Sequence, residues 1–186
     1  MVINVKEEYI NLLKSVNREG IDKLISFMEK TDFFVAPAST RFHGSYVGGL
    51  VEHSMKVYEI LSKKVKDSEF DFNEDTLKIV ALLHDICKLN FYKVEYRNAK
   101  NKNGEWEKVP YYTVDDTIPY GHGEKSVMML SEFITLTNEE KYAIRWHMGF
   151  TEPKELYTTI GVAFKKYPLA LLLFEADLES TYFFDI

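Results

Sequence analysis

Imidazole and carboxylate side chains recur along this chain in five short motifs that alternate with helix-like segments. The first motif ends at His53, and the second is the dipeptide His84-Asp85. The other three contain His122, His147 and Asp177. Imidazole nitrogens and carboxylate oxygens are the ligands with which a helical scaffold holds a divalent metal ion. The pattern therefore makes the chain a candidate metal-dependent hydrolase.

Helical spacing predicts that these side chains point inward. His53 shares one stripe with Leu50 and Val57, so we expect it to face the core. The same spacing places His84 on an apolar stripe of the next helix and Asp177 on one of the last helix. Asp85 follows His84 by roughly 100° around a helix, an offset that suits a bridging carboxylate beside a terminal imidazole.

Each of these residues also has a purely structural interpretation. A single inward histidine is more often a hydrogen-bonded core residue than a metal ligand, and Asp85 or Asp177 could cap a helix or form a salt bridge. Burying several imidazoles and carboxylates together without a metal or pairing would be costly, however. Spacing alone leaves both interpretations open.

The elements that must position these residues are predicted to be helices. Helical periodicity covers residues 7–16, 21–29, 74–88, 122–134, 153–166 and 168–183, and Gly48-Gly49 opens another helix that reaches about residue 66. Thr137 begins a capping box for one more. We therefore expect an all-α bundle that forms a single domain over residues 1–186, with N-terminal helices in 1–32.

Residues 91–114 have a different pattern. Tyr92, Val94 and Tyr96 alternate with charged residues, which is the period of a half-buried strand. Residues 101–104 read Asn-Lys-Asn-Gly, a turn signal, and a return strand follows. We predict a β-hairpin inserted into the helical domain, either as a plain surface flap or as a lid beside the site.

Composition narrows the possible functions. The formal net charge of −6 argues against an extended nucleic-acid-binding surface but not against a small phosphorylated substrate. No apolar run approaches the roughly 20 residues of a membrane span, and the amino terminus lacks a secretory pattern, so the expected location is the cytoplasm. The single cysteine, Cys87, is expected to be a small core residue.

The ordered set resembles the HD superfamily of metal-dependent phosphohydrolases. His53, His84-Asp85 and Asp177 match its core pattern, and His122 and His147 match a subgroup that usually binds two metals. The segment 43–53 is similar to the HD domain of bacterial 3′–5′ exoribonucleases. Segments 121–126 and 145–149 resemble small standalone HD proteins of Gram-positive bacteria and phages. Cys87 departs from the family, which often has glycine there.

The resemblance implies a role for each of these positions. His53, His84, Asp85 and Asp177 would hold one divalent ion, and Asp85 would bridge to a second held by His122 and His147. The ions could be Mn, Fe, Zn, Ni or Mg, and a hydroxide between them would attack phosphorus. Asp85 and Lys88 are therefore the predicted catalytic residues. The predicted substrate-binding residues are Lys88, Lys125, Arg145, Arg41 and His43.

The function predicted from these features is hydrolysis of a phosphoester of a nucleotide or related small molecule. An alternative is a 3′–5′ nuclease on short single-stranded RNA or DNA, with hairpin tyrosines as stacking surfaces. A di-iron oxygenase and a non-catalytic nucleotide sensor are two further alternatives. The oligomeric state is left open by the sequence.

Overall fold

The structure is a computed structural model that describes residues 5–41 and 44–184. Within these ranges the chain forms eight α-helices and one two-stranded antiparallel sheet, which confirms the predicted all-α class with an inserted hairpin. The helices are α1 (Val5–Lys14), α2 (Ile21–Met28), α3 (Gly49–Lys66), α4 (Glu74–Leu83), α5 (His122–Ser131), α6 (Asn138–Trp146), α7 (Tyr157–Lys166) and α8 (Pro168–Glu179). The strands are β1 (Tyr92–Lys100) and β2 (Trp106–Val114).

The helices that carry the predicted site residues pack against one another. Helix α3 packs on α4 and α8, α6 packs on α8, and α5 packs on α6. Leu50, Leu83 and Leu173 are among the fully buried side chains of the core between them. None of the helices in the described part of the chain combines the length and apolar character that a membrane span requires.

Glu140 joins the N-terminal segment to this bundle. Its carboxylate accepts two hydrogen bonds from Arg18, at 2.8 and 3.0 Å, and one from the hydroxyl of Thr76 at 3.0 Å. The same side chain closes the predicted capping box with Thr137 at the start of α6. Through these bonds, one buried carboxylate links the segment between α1 and α2 to α4 and α6.

The predicted helix over 74–88 is wrong at its carboxyl end. Helix α4 stops at Leu83, and a separate 3-10 turn covers Ile86–Lys88. The carbonyl of Ala81 accepts a hydrogen bond from the ring Nδ1–H of His84 at 2.8 Å. A side-chain hydrogen bond of this kind competes with the helical backbone pattern. Asp85 therefore lies outside regular helix, with φ −102° and ψ 17°.

Several other predicted helices also end earlier or begin later in the structure; α1, for example, ends at Lys14 and not at residue 16. Helix α5 stops at Ser131, not at residue 134, and α7 begins at Tyr157 after a 3-10 turn over Lys154–Leu156. Helix α8 ends at Glu179 and continues as a π-helical turn over Ser180–Phe184. Such ends depend on tertiary contacts that a periodic pattern does not record.

The hairpin forms where the sequence predicts it, with Tyr92 opposite Val114 and Lys100 opposite Trp106. Gly104 has φ +82°, the left-handed conformation that the predicted turn requires. The expected half-burial is wrong beyond Tyr92, because Val94 is 51% exposed and Tyr96 is 68% exposed. Among the residues that the structure describes, the two strands pair only with each other, and these outer side chains remain exposed.

Candidate metal centre

Five elements bring the six predicted ligands to one place. His53 lies on α3, and His84 and Asp85 follow the end of α4. His122 is the first residue of α5, and His147 directly follows α6. Asp177 lies on α8. Residues up to 124 positions apart in sequence therefore contribute to one cluster, as the inward spacing of the helices predicts.

His84 and His147 are positioned in the same way. Each is the residue that follows the last residue of its helix, and each donates from Nδ1 to the carbonyl three residues earlier. The bond from His84 to Ala81 is 2.8 Å long, and the bond from His147 to Ile144 is 2.7 Å long. Donation from Nδ1 fixes the tautomer, which leaves the lone pair of Nε2 directed at the cluster.

His53 and His122 have side-chain partners at Nδ1. The hydroxyl of Ser180, in the turn after α8, lies 3.3 Å from Nδ1 of His53. The thiol of Cys87 lies 3.2 Å from Nδ1 of His122. Each of the four rings thus has a partner at Nδ1, and each directs its Nε2 to the two aspartates.

Asp85 lies between two pairs of histidines. Its Oδ2 is 3.9 Å from Nε2 of His53 and 3.5 Å from Nε2 of His84. Its Oδ1 is 2.7 Å from Nε2 of His122 and 3.5 Å from Nε2 of His147. One carboxylate therefore directs each of its oxygens at a different pair of imidazoles, which is the arrangement that a bridging ligand needs.

Asp177 completes the cluster. Its Oδ1 lies 3.1 Å from Nε2 of His53, and its potential ligand atoms group with those of His84 and His147 within 4.8 Å. Two ligands about 2.1 Å from one metal lie roughly 3–3.4 Å apart in octahedral or tetrahedral geometry. Most of the separations in the cluster fall near this range, so small side-chain shifts suffice for coordination.

Two buried nitrogens support the fit of a metal. Nε2 of His84 and Nε2 of His147 have no hydrogen-bond partner within the described residues, although both rings are fully buried. A buried polar group without a partner costs about 1–3 kcal/mol. Coordination of a cation by these lone pairs would remove that cost at both positions.

Electrostatics favour the ionised carboxylates and neutral His84. Burial opposes ionisation of Asp85, but the charges of Lys88 and the nearby imidazoles hold its pKa well below the usual range. Burial lowers the pKa of His84 to about 4, against the opposing charge of Asp85. The pKa of His122 is also lowered by burial, whereas Asp85 and Asp177 outweigh burial at His147 and raise its pKa.

Lys88 is bound to the predicted bridging carboxylate. Its Nζ donates to Oδ2 of Asp85 at 2.6 Å and to the carbonyl of Ala38 at 2.8 Å. Burial opposes its charge, but Asp85 raises the pKa of the ammonium above its ordinary value. Lys88 therefore supplies a fixed positive charge at the cluster.

A cavity of about 560 Å³ opens onto the cluster. Asp85, Lys88, His122, His147 and Asp177 line one side of it, and this volume lies within the usual range for small-molecule sites. The hairpin contributes Tyr92 and Val114 to another wall. The hydroxyl of Tyr92 donates to the carbonyl of Ala38 at 3.0 Å, which ties the hairpin to the loop before α3.

The structure does not bring Lys125 or Arg145 to this cavity. Lys125 is buried, and its Nζ contacts Asp116 at 2.6 Å. Arg145 pairs with Glu124 and with Glu152, and its guanidinium lies over the ring of Trp146. Both cations are paired with neighbouring carboxylates away from the residues that line this cavity, and their predicted contact with substrate stays a prediction.

Arg41 and His43 are the two remaining predicted substrate-binding residues. Arg41 lines a second cavity, which adjoins the first through the shared wall residue Thr40. His43 lies outside the described residues, so its predicted contact with substrate stays a prediction.

The residues that contact Nδ1 of His53 and of His122 are not predicted by the sequence motifs. Ser180 is buried at the end of α8 and three residues after Asp177, a spacing that could have suggested proximity to the cluster. Cys87 was interpreted only as a core residue. It is buried, and burial raises the pKa of its thiol to about 12, which keeps the thiol beside His122 neutral.

Comparison with known proteins assigns the family. The family model for the HD domain matches residues 50–178, more than half of the chain. The chain belongs to the HD domain family. HD domains bind divalent metals, and the matched segment contains all six of the clustered histidines and aspartates. No solved structure matches the chain significantly.

Two curated HD-family relatives have different activities. The chain is 32% identical over 112 residues to the dihydroneopterin 2′,3′-cyclic phosphate phosphodiesterase of Methanocaldococcus jannaschii, an alignment that covers 58% of this chain and 40% of that protein. It is also 32% identical over 82 residues to the 3′-5′ exoribonuclease YhaM of Listeria monocytogenes, which covers 44% of this chain and 26% of that protein. The chain thus spans less than half the length of either relative.

Proposed function

We propose that this HD protein is a metal-dependent phosphohydrolase that cleaves a phosphoester of a nucleotide or of a related small phosphorylated molecule. The observation that carries the proposal is the position of Asp85, whose two carboxylate oxygens face two different pairs of histidines at the wall of a cavity. The two relatives, a phosphodiesterase and an exoribonuclease, both act on phosphodiester bonds by name, which supports the same class of reaction.

Two divalent ions fit the donor set. His53, His84 and Asp177 would hold one ion, His122 and His147 would hold the other, and Asp85 would bridge them. Bound divalent metal would lower the pKa of a coordinated water and neutralise charge on the phosphoryl oxygens. The protein's part is to orient the imidazoles, and the Nδ1–H bonds of His84 and His147 to backbone carbonyls turn Nε2 of both rings toward the cluster.

Lys88 would bind the anionic substrate. Its ammonium lies in the cavity wall beside Asp85, so a phosphoryl oxygen entering the cavity meets a positive charge next to the cluster. If Oδ2 of Asp85 ligated a metal instead of accepting from Lys88, the ammonium of Lys88 could donate to the phosphate. Because bound divalent metal would supply the activated water, no side chain needs to act as a strong base.

The test is hydrolysis of bis(p-nitrophenyl) phosphate and of a panel of nucleotide esters by protein loaded with Mn²⁺. We expect turnover by the parent and a loss of at least about a hundredfold in kcat for Asp85→Asn. Asp116→Asn is the matched control, because it alters the acidic partner of another 2.6 Å lysine pair outside the cavity, and it should retain activity. Failure of the loaded parent to hydrolyse any phosphoester in the panel would contradict the proposal.

A further inference from the structure

One face of the hairpin is aromatic and exposed. Even-numbered residues of β1 and β2 share this face, as the contact between the rings of Tyr92 and Tyr112 and the position of Lys100 over the ring of Trp106 indicate. We call it the aromatic face; its aromatic members are Tyr92, Tyr96, Trp106 and Tyr112. Tyr96 is 68% exposed and Trp106 is 69% exposed, so these rings do not serve the core.

The charge on the aromatic face is positive. Lys100 and Lys108 are its only charged residues, and it has no acidic residue along either strand. The opposite face carries acidic residues, including Glu95, which pairs with Lys93 at 3.1 Å. In a chain with a net charge of −6, a face with lysines and no carboxylate is a local site for an anionic partner.

The aromatic face is continuous with the candidate metal centre. Tyr92 and Val114, at its inner end, line the cavity that opens onto Asp85. Next to them, Tyr112 lines the second cavity, whose volume is about 650 Å³. Arg41 also lines this second cavity, as does Arg97 from the opposite face of the hairpin, and no acidic side chain does so among the residues that the structure describes there. A chain lying along the hairpin would thus follow aromatic and cationic groups to the cluster.

We propose that the aromatic face is a stacking platform for single-stranded nucleic acid whose end enters the cavity at Asp85. This inference rests on the proposed phosphohydrolase function and names the substrate class of the same site. Proteins that bind single strands without sequence preference combine exposed aromatic rings with a cationic path for the backbone. Each strand has nine residues, so the platform extends for about 30 Å.

A second copy of this chain suits the aromatic face less well. In a two-fold symmetric dimer both copies use the same patch, so two lysine-bearing faces would meet without a carboxylate on either to pair with the lysines. The phosphates of a nucleic acid complement the lysines, and its bases complement the exposed rings.

The test is fluorescence anisotropy with a fluorescein-labelled twelve-nucleotide oligoadenylate RNA. All proteins carry Asp85→Asn, so that cleavage does not change the probe. We expect Tyr96→Ala and Trp106→Ala each to raise the Kd about tenfold, because stacking contributes substantially at each ring. Phe70→Ala, which removes an exposed ring on the α3–α4 connection, is the matched control and should leave the Kd unchanged.

The salt dependence of RNA binding distinguishes the contribution of ring stacking from that of the lysine charges. The double variant Lys100→Gln/Lys108→Gln should reduce the slope of log K against log salt by about 1.4, since each phosphate contact on a single strand contributes about 0.7. Tyr96→Ala should leave that slope unchanged. A Kd unaffected by Tyr96→Ala and Trp106→Ala would overturn the platform, as would a parent dimer that dissociates on Trp106→Ala.

Hydrolysis of bis(p-nitrophenyl) phosphate by the parent distinguishes the two proposals, because so small an ester cannot span the cavity and the hairpin. Turnover of this ester together with unchanged Kd values in the ring variants would overturn the platform and leave the phosphohydrolase intact. Weakened binding in the ring variants without any turnover would support the platform and contradict the phosphohydrolase.

Discussion

Replacing Lys88 by methionine should destabilise the metal-free protein and should do so much less when metal is bound. Nζ of Lys88 contacts Oδ2 of Asp85 at 2.6 Å, and the two side chains are only 12% and 3% exposed. Removing one partner of a buried ion pair leaves an uncompensated charge and typically costs about 3–5 kcal/mol. We expect the lower value, about 3 kcal/mol, because Nε2 of His122 still contacts Oδ1 of Asp85.

Metal should restore the lost stability through the same carboxylate. A cation bound at Asp85 compensates its charge in place of Lys88. Saturating metal stabilises parent and variant alike, so the deficit shrinks only as far as the variant binds metal more tightly, and a roughly thirtyfold lower Kd would shrink it by about 2 kcal/mol. Lys88→Met should also bind metal more tightly, because no ammonium competes for Oδ2. The difference between variant and parent should therefore shrink to about 1 kcal/mol or less with saturating Mn²⁺.

Urea denaturation in EDTA and in saturating Mn²⁺ measures both values. Lys125→Met is the matched control, since it removes another largely buried lysine that contacts a carboxylate at 2.6 Å but lies outside the cluster. The loss in free energy of unfolding for Lys125→Met, relative to the parent, should be the same with and without metal. A deficit for Lys88→Met that does not change on adding Mn²⁺ would refute the reasoning.

Three further predictions concern other parts of the molecule. Cys87→Ala should lower the Mn²⁺ affinity of one of two sites by about tenfold or more in titration calorimetry, because it removes the partner of His122 Nδ1. Cys87→Ser should restore that affinity. Equal affinities in the parent and both variants would contradict this prediction. His84 has a folded pKa of about 4 against about 6.5 unfolded, so it contributes stability above pH 6.5 that is lost as the pH falls toward 4. In EDTA the parent should therefore lose roughly 2–3 kcal/mol more stability than His84→Gln between pH 7 and 4.5. Equal losses of the two proteins in urea denaturation would count against this account. Arg18→Met should lower the free energy of unfolding by about 3 kcal/mol in the same assay, because it leaves the buried charge of Glu140 without its cation. The metal content should not change. A loss below about 1 kcal/mol would show that Glu140 finds another cationic partner.

Periodicity predicted which side of each helix faces the core, and this was sufficient to bring the ligand candidates together. The stripe shared by Leu50, His53 and Val57 is buried along its whole length. Because the inward faces of packed helices converge, residues far apart in sequence could be predicted to meet without knowing the packing order. The hairpin was likewise predictable from alternation and from its turn.

The ends of the helices could not be predicted from the same patterns. His84 and His147 terminate their helices through bonds from their own rings to backbone carbonyls, a local geometry that apolar periodicity does not contain. The position of Asp85 outside regular helix follows from that bond. The contacts of Cys87 and Ser180 with imidazoles depend on packing between α5 and the segment after α4, and between α8 and α3.

The exposure of the hairpin was also not predictable. Alternation of Tyr92, Val94 and Tyr96 with charged residues indicates two different faces, but it does not show whether the apolar face has anything to pack against. Only Tyr92 is close enough to the helices to be partly covered. The pairing of Lys125 with Asp116 is similarly a tertiary contact that the motif near His122 did not reveal.

The most direct test of the central claim is the metal content of the wild-type protein and of Asp85→Ala, measured by plasma mass spectrometry after reloading with manganese, iron or zinc. We predict about two ions per wild-type chain and loss of most of them in the variant, because both histidine pairs depend on Asp85. One ion per chain would contradict the bridged pair. No ion in either protein would mean that the clustered histidines are structural and that the phosphohydrolase proposal is wrong.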